Sequence, residues 1–230
     1  MKDIPVVRGR RYILEHIAEG EHECQDFKYS IGDACKIARS LSAFANRSGG
    51  RLLIGVKDNG TVAGVRNEED IYVVEQAAEL YCRPAQHVEF TAFSYDERAV
   101  VIRASIARSQ ERPVQARDTD GTWQAFYRVA DENIRAHPLM VAAWRRSASA
   151  TTCISMRADS PGHAVLALVA RSGAAGVVPD SVAPALGISR RSAAAQIARL
   201  AAIGLLDFRY IDGAFRLVAM EPGQDSATAF

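Results

Sequence analysis

Three carboxylates and one lysine near the start of the chain are candidates to converge in one cleft. Glu21 precedes a predicted strand, Asp26 and Lys28 share one face of that strand, and Asp58 follows the next apolar strand. Three carboxylates in one cleft repel one another unless a divalent cation or a lysine neutralises them. Glu21, Asp26 and Asp58 are therefore candidate metal ligands, with Lys28 beside them. The alternative is that these carboxylates are solvated and that Asp58 only begins a turn.

The segment from Asn46 to Gly50 allows two interpretations. Glycines let a backbone approach a ligand, so Asn46, Ser48, Gly49 and Gly50 are candidates to cradle a phosphate with exposed N–H groups. The other interpretation is a helix stop followed by a sharp entry into the next strand. The chain contains no Gly-x-x-x-x-Gly-Lys-Ser/Thr pattern, which disfavours a P-loop ATPase and makes ATP an unsupported cofactor.

Aromatic and basic residues lie together near the end of a later predicted strand. Tyr127 and Arg128 follow Trp123 and Phe126, and this combination can stack on and grip a nucleic-acid strand. Trp123 and Phe126 cannot face the same side of a regular strand, so we expect at least one of them in the core. For Tyr127 and Arg128, nucleic-acid contact and core packing remain equal alternatives.

The elements that would position these residues alternate irregularly between helix and strand. Apolar spacing predicts helices over 13–17, 34–45, with Asp33 as a cap, and 68–81. Strands are predicted over 24–28, 52–56, 88–95, 99–107 and 123–129, and the Asn-Gly turn after Lys57 predicts a hairpin into Thr61–Val65. This mixture without a steady strand–helix–strand rhythm favours the α+β class.

The last third of the chain resembles a winged helix-turn-helix. Helices are predicted over 163–170, 178–186 and 190–202, the last capped by Ser189, and a hairpin over 205–210 and 214–218. Pro184 is a departure that would kink or shorten the second helix. The residues expected to contact DNA in the groove are Arg190, Arg191, Ser192, Gln196 and Arg199, with Arg209 and Arg216 on the wing. The alternative is a protein-interaction module in which these arginines form a solvated face.

Length and composition limit the number of domains and the class of protein. A chain of 230 residues with 48% hydrophobic side chains can bury one sizeable core and a second, smaller one. We expect a domain over 1–147, a linker over 148–161, a winged helix over 162–220 and a tail over 221–230. No uninterrupted apolar stretch suggests a signal or a membrane span, so a cytoplasmic protein with no membrane partner is expected. The spacing of the cysteines favours neither zinc nor disulfides.

The formal net charge of the chain is only +1. The general basic excess of many nucleic-acid binders is therefore missing. Any contact with nucleic acid must come from local clusters of arginine and lysine.

Two stretches, Glu21–Lys28 and Ala43–Gly60, together resemble the Schlafen-type AlbA-like domain, and the resemblance continues through Gly64 to Val129. Asp26 stands where that family more often has glutamate. The chain looks close to bacterial members described as transcriptional regulators or ATP-binding proteins. In nuclease members an acidic trio at matching positions binds metal and cleaves RNA, so the resemblance implies a ribonuclease site with Mg²⁺ or Mn²⁺.

The sequence therefore favours a DNA-binding transcriptional regulator over an enzyme. Duplex DNA is the expected partner, with RNA as the other nucleic acid to consider. A homodimer would fit the way winged-helix regulators read two half-sites. The competing hypotheses are a metal-dependent ribonuclease that uses the acidic trio, and a protein-interaction module.

Overall fold

A computed structural model describes residues 4–65, 69–147 and 156–220. The chain divides into two compact units, Met1–Ala136 and His137–Phe230, and both belong to a mixed α+β structure. The division falls before residue 147, the expected end of the first domain. Most of the expected linker and the whole expected tail lie outside the described residues.

The first unit contains nine strands and three helices among its described residues. Its elements are β1 (Val6–Arg8), α1 (Arg10–Glu19), β2 (Gln25–Lys28), α2 (Ala34–Asn46), β3 (Gly50–Ile54), α3 (Glu69–Leu80), β4 (Cys82–Arg83), β5 (Glu89–Ser94), β6 (Val100–Ile106), β7 (Gln115–Arg117), β8 (Trp123–Val129) and β9 (Glu132–Arg135).

Two sheets organise these elements. The larger sheet has the order β1-β5-β6-β3-β2, and the smaller has the order β4-β7-β8-β9. In the larger sheet β2 runs parallel to β3, with Asp26 opposite Leu52, and β6 runs antiparallel along the other edge of β3. The position of Asp26 is thus set by the pairing of the edge strand β2 with β3.

The prediction of a two-stranded hairpin after β3 is wrong, although the predicted turn is present. Gly60 adopts the left-handed backbone expected of a tight turn, and Lys57 N–H donates to the Thr61 carbonyl at 3.0 Å. Beyond the turn there is a single bridge between Val56 and Val62 rather than a strand. The physical reason is that both edges of β3 are already hydrogen-bonded, to β2 and to β6, so residues 61–65 have no free edge to join.

Helix α2 is the element that links the two sheets. Asp33 caps it as predicted, because its Oδ1 accepts from the N–H groups of Cys35 and Lys36 at 2.9 and 3.2 Å. On the expected apolar face, Ile37, Leu41 and Phe44 are buried. The helix contacts α3 and also β7 and β8, so its polar residues on the far side are buried as well.

The second unit has four helices and one hairpin among its described residues. Its elements are α4 (Pro138–Ser147), α5 (Pro161–Ser172), α6 (Val182–Leu186), α7 (Arg190–Ala202), β10 (Leu206–Ile211) and β11 (Ala214–Ala219), with 3-10 turns at Gly173–Ala175 and Pro179–Ser181. From α5 onward this order agrees with the predicted one. Helix α4 was not predicted, although Pro138 at its start and the spacing of Met140, Ala143 and Trp144 are typical of a helix.

Pro184 is accommodated because α6 is short. It is the third residue of that helix, where the backbone N–H would lack an intrahelical acceptor in any case. Gly187 then adopts the left-handed conformation and ends the helix, and Ser189 caps α7 by accepting from Ser192 N–H at 3.1 Å.

No helix in the described part of the chain is long and apolar enough to cross a membrane.

Candidate functional site

Asp26 is a buried carboxylate that two cations hold in place. It is 4% exposed on β2, within the first unit. Lys28 Nζ lies 2.8 Å from Asp26 Oδ2, and Arg128 Nη2 lies 3.2 Å from Oδ1. Lys28 thus lies beside Asp26 as expected. Arg128 places a second positive charge next to the same carboxylate.

Glu21 joins Asp26 from the turn that precedes β2. The N–H of Phe27 donates to Glu21 Oε1 at 2.7 Å, which fixes the carboxyl group against the strand. Burial raises the pKa of Glu21, and the hydrogen bond and negative charge of Asp26 raise that pKa further. The N–H of Phe27 and the charge of Lys28 act in the opposite direction. Two carboxyl groups and two cations therefore form one compact and nearly balanced cluster.

Asp58 does not join this cluster. It is exposed in the tight turn after β3, and no group of three or more His, Cys, Asp or Glu residues that could hold a metal ion occurs in the part of the chain that the structure describes. The three predicted metal ligands, Glu21, Asp26 and Asp58, therefore do not form one site. The physical reason is that Lys28 and Arg128 already balance Glu21 and Asp26, while Asp58 is used in a solvated turn.

Arg128 is a core residue, which settles the two alternatives left open by the sequence. It is 1% exposed, and its guanidinium group donates to the carbonyls of His22 and Gln25 and to the Asn133 side chain at 3.0–3.4 Å, besides Asp26. The group also lies 5.3 Å from the centre of the Phe44 ring. The assignment of Arg128 to nucleic-acid contact is therefore corrected, because no part of this guanidinium group faces solvent.

The neighbours of Arg128 on β8 are divided between core and surface. Phe126 is buried, whereas Trp123 and Tyr127 are half-buried on the opposite face. Each of these two rings has an arginine above it: Arg83 lies 4.0 Å from the centre of the Trp123 ring, and Arg47 lies 5.0 Å from that of Tyr127. Tyr127 is thus partly engaged within the protein.

The segment from Asn46 to Gly50 is a helix stop and not a phosphate cradle. Asn46 is buried, donates to the carbonyls of Val114 and Phe126 at 2.8 and 2.9 Å, and accepts from Val114 N–H at 2.8 Å. Gly49 takes a left-handed backbone and its N–H donates to the Phe44 carbonyl.

The flanking residues of that segment do not form a cradle either. Gly50 lies against the Phe44 ring, where a Cβ atom would clash, and Ser48 is half-buried. The amide and glycines of this segment are therefore used for packing rather than for a ligand.

In the second unit, α7 presents an arginine-rich face to solvent. Arg190, Arg191 and Arg199 are exposed, and Arg191 and Arg199 lie on one stripe with the small residue Ala195 between them. Ser192 and Gln196, which were also expected to read bases, are half-buried. Ser192 is engaged in the cap, and Gln196 lies beside Gly162 at the start of α5.

The packing of α7 explains this division. Ile197 and Leu200 are buried as expected, and Ala193 and Ala198 are buried in addition, because both α4 and α5 contact the helix. The exposed stripe of α7 is therefore narrower than the sequence suggested.

The hairpin β10–β11 brings its two arginines together. Arg209 and Arg216 are directly opposite each other in the register, with Arg209 exposed and Arg216 half-buried. Like charges directly opposite one another in a sheet are unfavourable. The positive charge of the hairpin is thus concentrated at one cross-strand position. The sequence contained both arginines but not this register.

Comparison with known proteins supports an assignment for the first unit. Residues 21–137 match the family model described as Schlafen, AlbA_2. The solved structure of the DIP2311 protein from Corynebacterium diphtheriae is 20% identical, with a TM-score of 0.44, over 90% of this chain and 38% of that one. The chain thus spans well under half the length of that protein. No curated protein matches the chain.

Proposed function

Because the chain belongs to the Schlafen, AlbA_2 family, we propose that it is a nucleic-acid-binding protein whose second unit binds duplex DNA as a winged helix-turn-helix regulator. Family membership suggests nucleic-acid binding in general. The choice of duplex DNA rests on features of the second unit.

The exposed stripe of α7 is the observation that carries this proposal. Arg191 and Arg199 lie two turns apart on it, and Ala195 between them is small enough for the helix backbone to approach a groove floor. Arginine can make paired hydrogen bonds to guanine and can also neutralise phosphate. Arg190 adds a further positive charge to the first turn of the helix.

The hairpin supports the proposal independently. Arg209 and Arg216 lie side by side although they repel each other, and a phosphate between them would relieve that repulsion. A wing that contacts the DNA backbone would have this arrangement.

The competing hypothesis of a metal-dependent ribonuclease lacks a comparable observation. Glu21 and Asp26 have Lys28 and Arg128 as counter-charges, so little negative charge remains to attract a divalent cation. If a metal bound beside them, it would have to displace these cations.

Fluorescence anisotropy with labelled duplex DNA tests the proposal. We expect Arg191→Ala and Arg199→Ala each to weaken binding about tenfold, since a base-contacting arginine contributes about 1–3 kcal/mol. Arg171→Ala is the matched control, because it removes an exposed arginine from the last turn of α5. Equal affinities of all three variants and wild type would contradict the role of α7.

Incubation of labelled RNA with Mg²⁺ or Mn²⁺ separates the two functions. We expect intact RNA from wild type and from Asp26→Asn alike. Metal-dependent cleavage by the wild type that Asp26→Asn abolishes would replace the regulator by a nuclease.

A further inference from the structure

A shallow groove on the first unit lies where β1 ends and α1 begins. Its volume is about 470 Å³. Six residues line this N-terminal groove: Arg8, Gly9, Arg10, Arg11, Tyr12 and Glu15.

The positive charge of the N-terminal groove is only partly compensated. Arg11 pairs with Glu15 at 2.7 Å. Within residues 4–65, 69–147 and 156–220, neither Arg8 nor Arg10 has a carboxylate at ion-pair distance, and Arg10 instead lies 5.4 Å from the centre of the Tyr95 ring. The nearby Asp96 carboxylate accepts from the N–H groups of Arg98 and Ala99, and because the charge of Arg10 helps to lower the pKa of Asp96, this carboxylate offsets part of the charge of Arg10.

The arginines occupy a position that is unfavourable for the folded protein alone. Arg10 and Arg11 are the first residues of α1, where the positive end of the helix dipole repels cations. The first turn has no acidic residue, and Gly9 offers no capping side chain. Gly9 cannot be replaced by a capping residue, because a Cβ atom would overlap the Phe93 ring. A bound anion would relieve these costs together.

One wall of the groove is held rigid by aromatic and cationic contacts. The Tyr12 ring stacks on Phe93 at 4.5 Å between centres, and Arg103 Nη1 donates to Tyr12 Oη at 2.6 Å. Since the hydroxyl oxygen accepts from Arg103, its own hydrogen is available as a donor. The groove thus combines the fixed Tyr12 side chain with the guanidinium groups of Arg8 and Arg10, which have no carboxylate at ion-pair distance among the described residues.

We infer that the N-terminal groove binds a phosphate of a nucleic-acid backbone, a second contact separate from α7. Guanidinium groups form paired, charge-assisted hydrogen bonds with phosphate and with carboxylate alike, and the nucleic-acid binding suggested by the family favours phosphate here. The groove is open and shallow, which suits one phosphate of a continuous strand rather than an enclosed small molecule. This inference rests on the proposed nucleic-acid binding but not on the role of α7.

The salt dependence of binding tests the inference. The variant is Arg8→Ala/Arg10→Ala, and the matched control is Lys36→Ala/Arg117→Ala, which removes two exposed positive charges elsewhere on the first unit. Affinities for labelled duplex DNA and labelled single-stranded RNA are measured between about 50 and 300 mM salt. Loss of one phosphate contact should reduce the slope of log K against log salt by about 0.9 for duplex and about 0.7 for single strands.

We expect the slope for the Arg8→Ala/Arg10→Ala variant to be reduced by this amount on at least one probe, whereas the slope for the control variant stays equal to that of wild type. Its melting temperature should stay close to that of wild type, because both side chains are exposed and Arg10 opposes the dipole of α1. If the slope of Arg8→Ala/Arg10→Ala is unchanged while Arg191→Ala binds more weakly than wild type, the proposed role of the groove is overturned and the proposed function stands. No binding of either probe by wild type at the lowest salt would overturn the proposed function itself. A lowered melting temperature with an unchanged slope would make the two arginines structural.

Discussion

Arg128 is a buried arginine whose guanidinium group is a counter-charge to the buried Asp26 carboxylate. Its hydrogen bonds to residues on the turn before β2, on β2 itself and on β9 join three parts of the first unit. A buried charge of this kind is held by its partners, and the same partners depend on it. Glu21 and Asp26 are therefore stable as a pair only while the cations remain beside them.

Substitution of Arg128 by methionine should strongly destabilise the first unit. We expect a loss of about 3–5 kcal/mol in the free energy of unfolding, since the buried Asp26 carboxylate would lose a counter-charge. Urea unfolding followed by circular dichroism measures this loss. Arg117→Ala, an exposed arginine of β7, is the control and should change the free energy by less than about 0.5 kcal/mol. Equal small losses would show that Arg128 is not the counter-charge.

Substitution of Glu21 by glutamine should change how stability depends on pH. The pKa of Glu21 is raised above its ordinary value of 4.5, so the fold favours the protonated form. The stability that this group contributes is fully present below 4.5 and is lost as the pH rises through the raised pKa. Glutamine mimics the protonated form at every pH.

The stability of Glu21→Gln relative to wild type should therefore be greater at pH 7 than at pH 4. Thermal unfolding of both proteins across this range is the measurement. A relative stability that instead increases toward low pH would contradict the raised pKa.

Helix α2 illustrates how one element positions its neighbours through buried polar groups. Ser42 and Asn46 lie one turn apart on the side that contacts β7 and β8. Ser42 donates to the Val114 carbonyl at 2.8 Å and accepts from Phe126 N–H at 3.1 Å. With Asn46, these bonds satisfy backbone groups that have no other means of pairing within a sheet. The helix therefore holds in place the backbone that leads into β7 and the backbone at the middle of β8.

Substitution of Asn46 by alanine should destabilise the first unit without any ligand being involved. It leaves Val114 N–H and the Phe126 carbonyl unpaired in the core, and each buried unpaired group costs about 1–3 kcal/mol. We expect a loss of about 2–6 kcal/mol in the free energy of unfolding, measured by urea denaturation. Ser48→Ala, in the same segment, is the matched control and should have little effect. A stable Asn46→Ala protein with weakened phosphate binding would instead restore the cradle.

At the scale of the whole molecule, each of the two units carries one of the two tryptophans. Trp123 lies on β8 and Trp144 on α4, so variants with a single tryptophan report on the units separately. Charge is also distributed unevenly over the molecule. The net charge of +1 conceals local clusters on α7, on the hairpin and in the N-terminal groove.

The second unit should become less stable as the pH falls, because of His137. Burial lowers the pKa of His137 below its ordinary value of 6.5, and its Nδ1 accepts from Leu139 N–H at 3.2 Å, which requires the unprotonated nitrogen. Asp180 opposes this shift. The stability contributed by the neutral ring is present above 6.5 and is lost as the pH falls through the lowered pKa.

Fluorescence of Trp144 in a Trp123→Phe background measures this effect. We expect the thermal unfolding midpoint of the second unit to decrease as the pH is lowered from about 7 to about 5. The His137→Gln variant should show a weaker dependence of this midpoint on pH. The Trp123 signal in a Trp144→Phe background should not show the same His137 dependence. A midpoint that is independent of pH would contradict the role of the neutral ring.

The sequence by itself determined the features that depend on neighbouring residues. The cap of α2 at Asp33, the cap of α7 at Ser189 and the hairpin turn at Asp212–Gly213 follow from short-range spacing and hydrogen bonding, and the structure contains all three. The family and the α+β class were also evident from local motifs and the order of elements.

Only the tertiary structure decided which distant groups meet. Asp26 is paired with Arg128, about a hundred residues away, rather than with Asp58, and Asn46 is paired with residues near 114 and 126. Residues 61–65 do not form a strand because β2 and β6 occupy both edges of β3. These outcomes depend on competition among long-range partners for the same edges and charges, which residue types and local spacing do not encode.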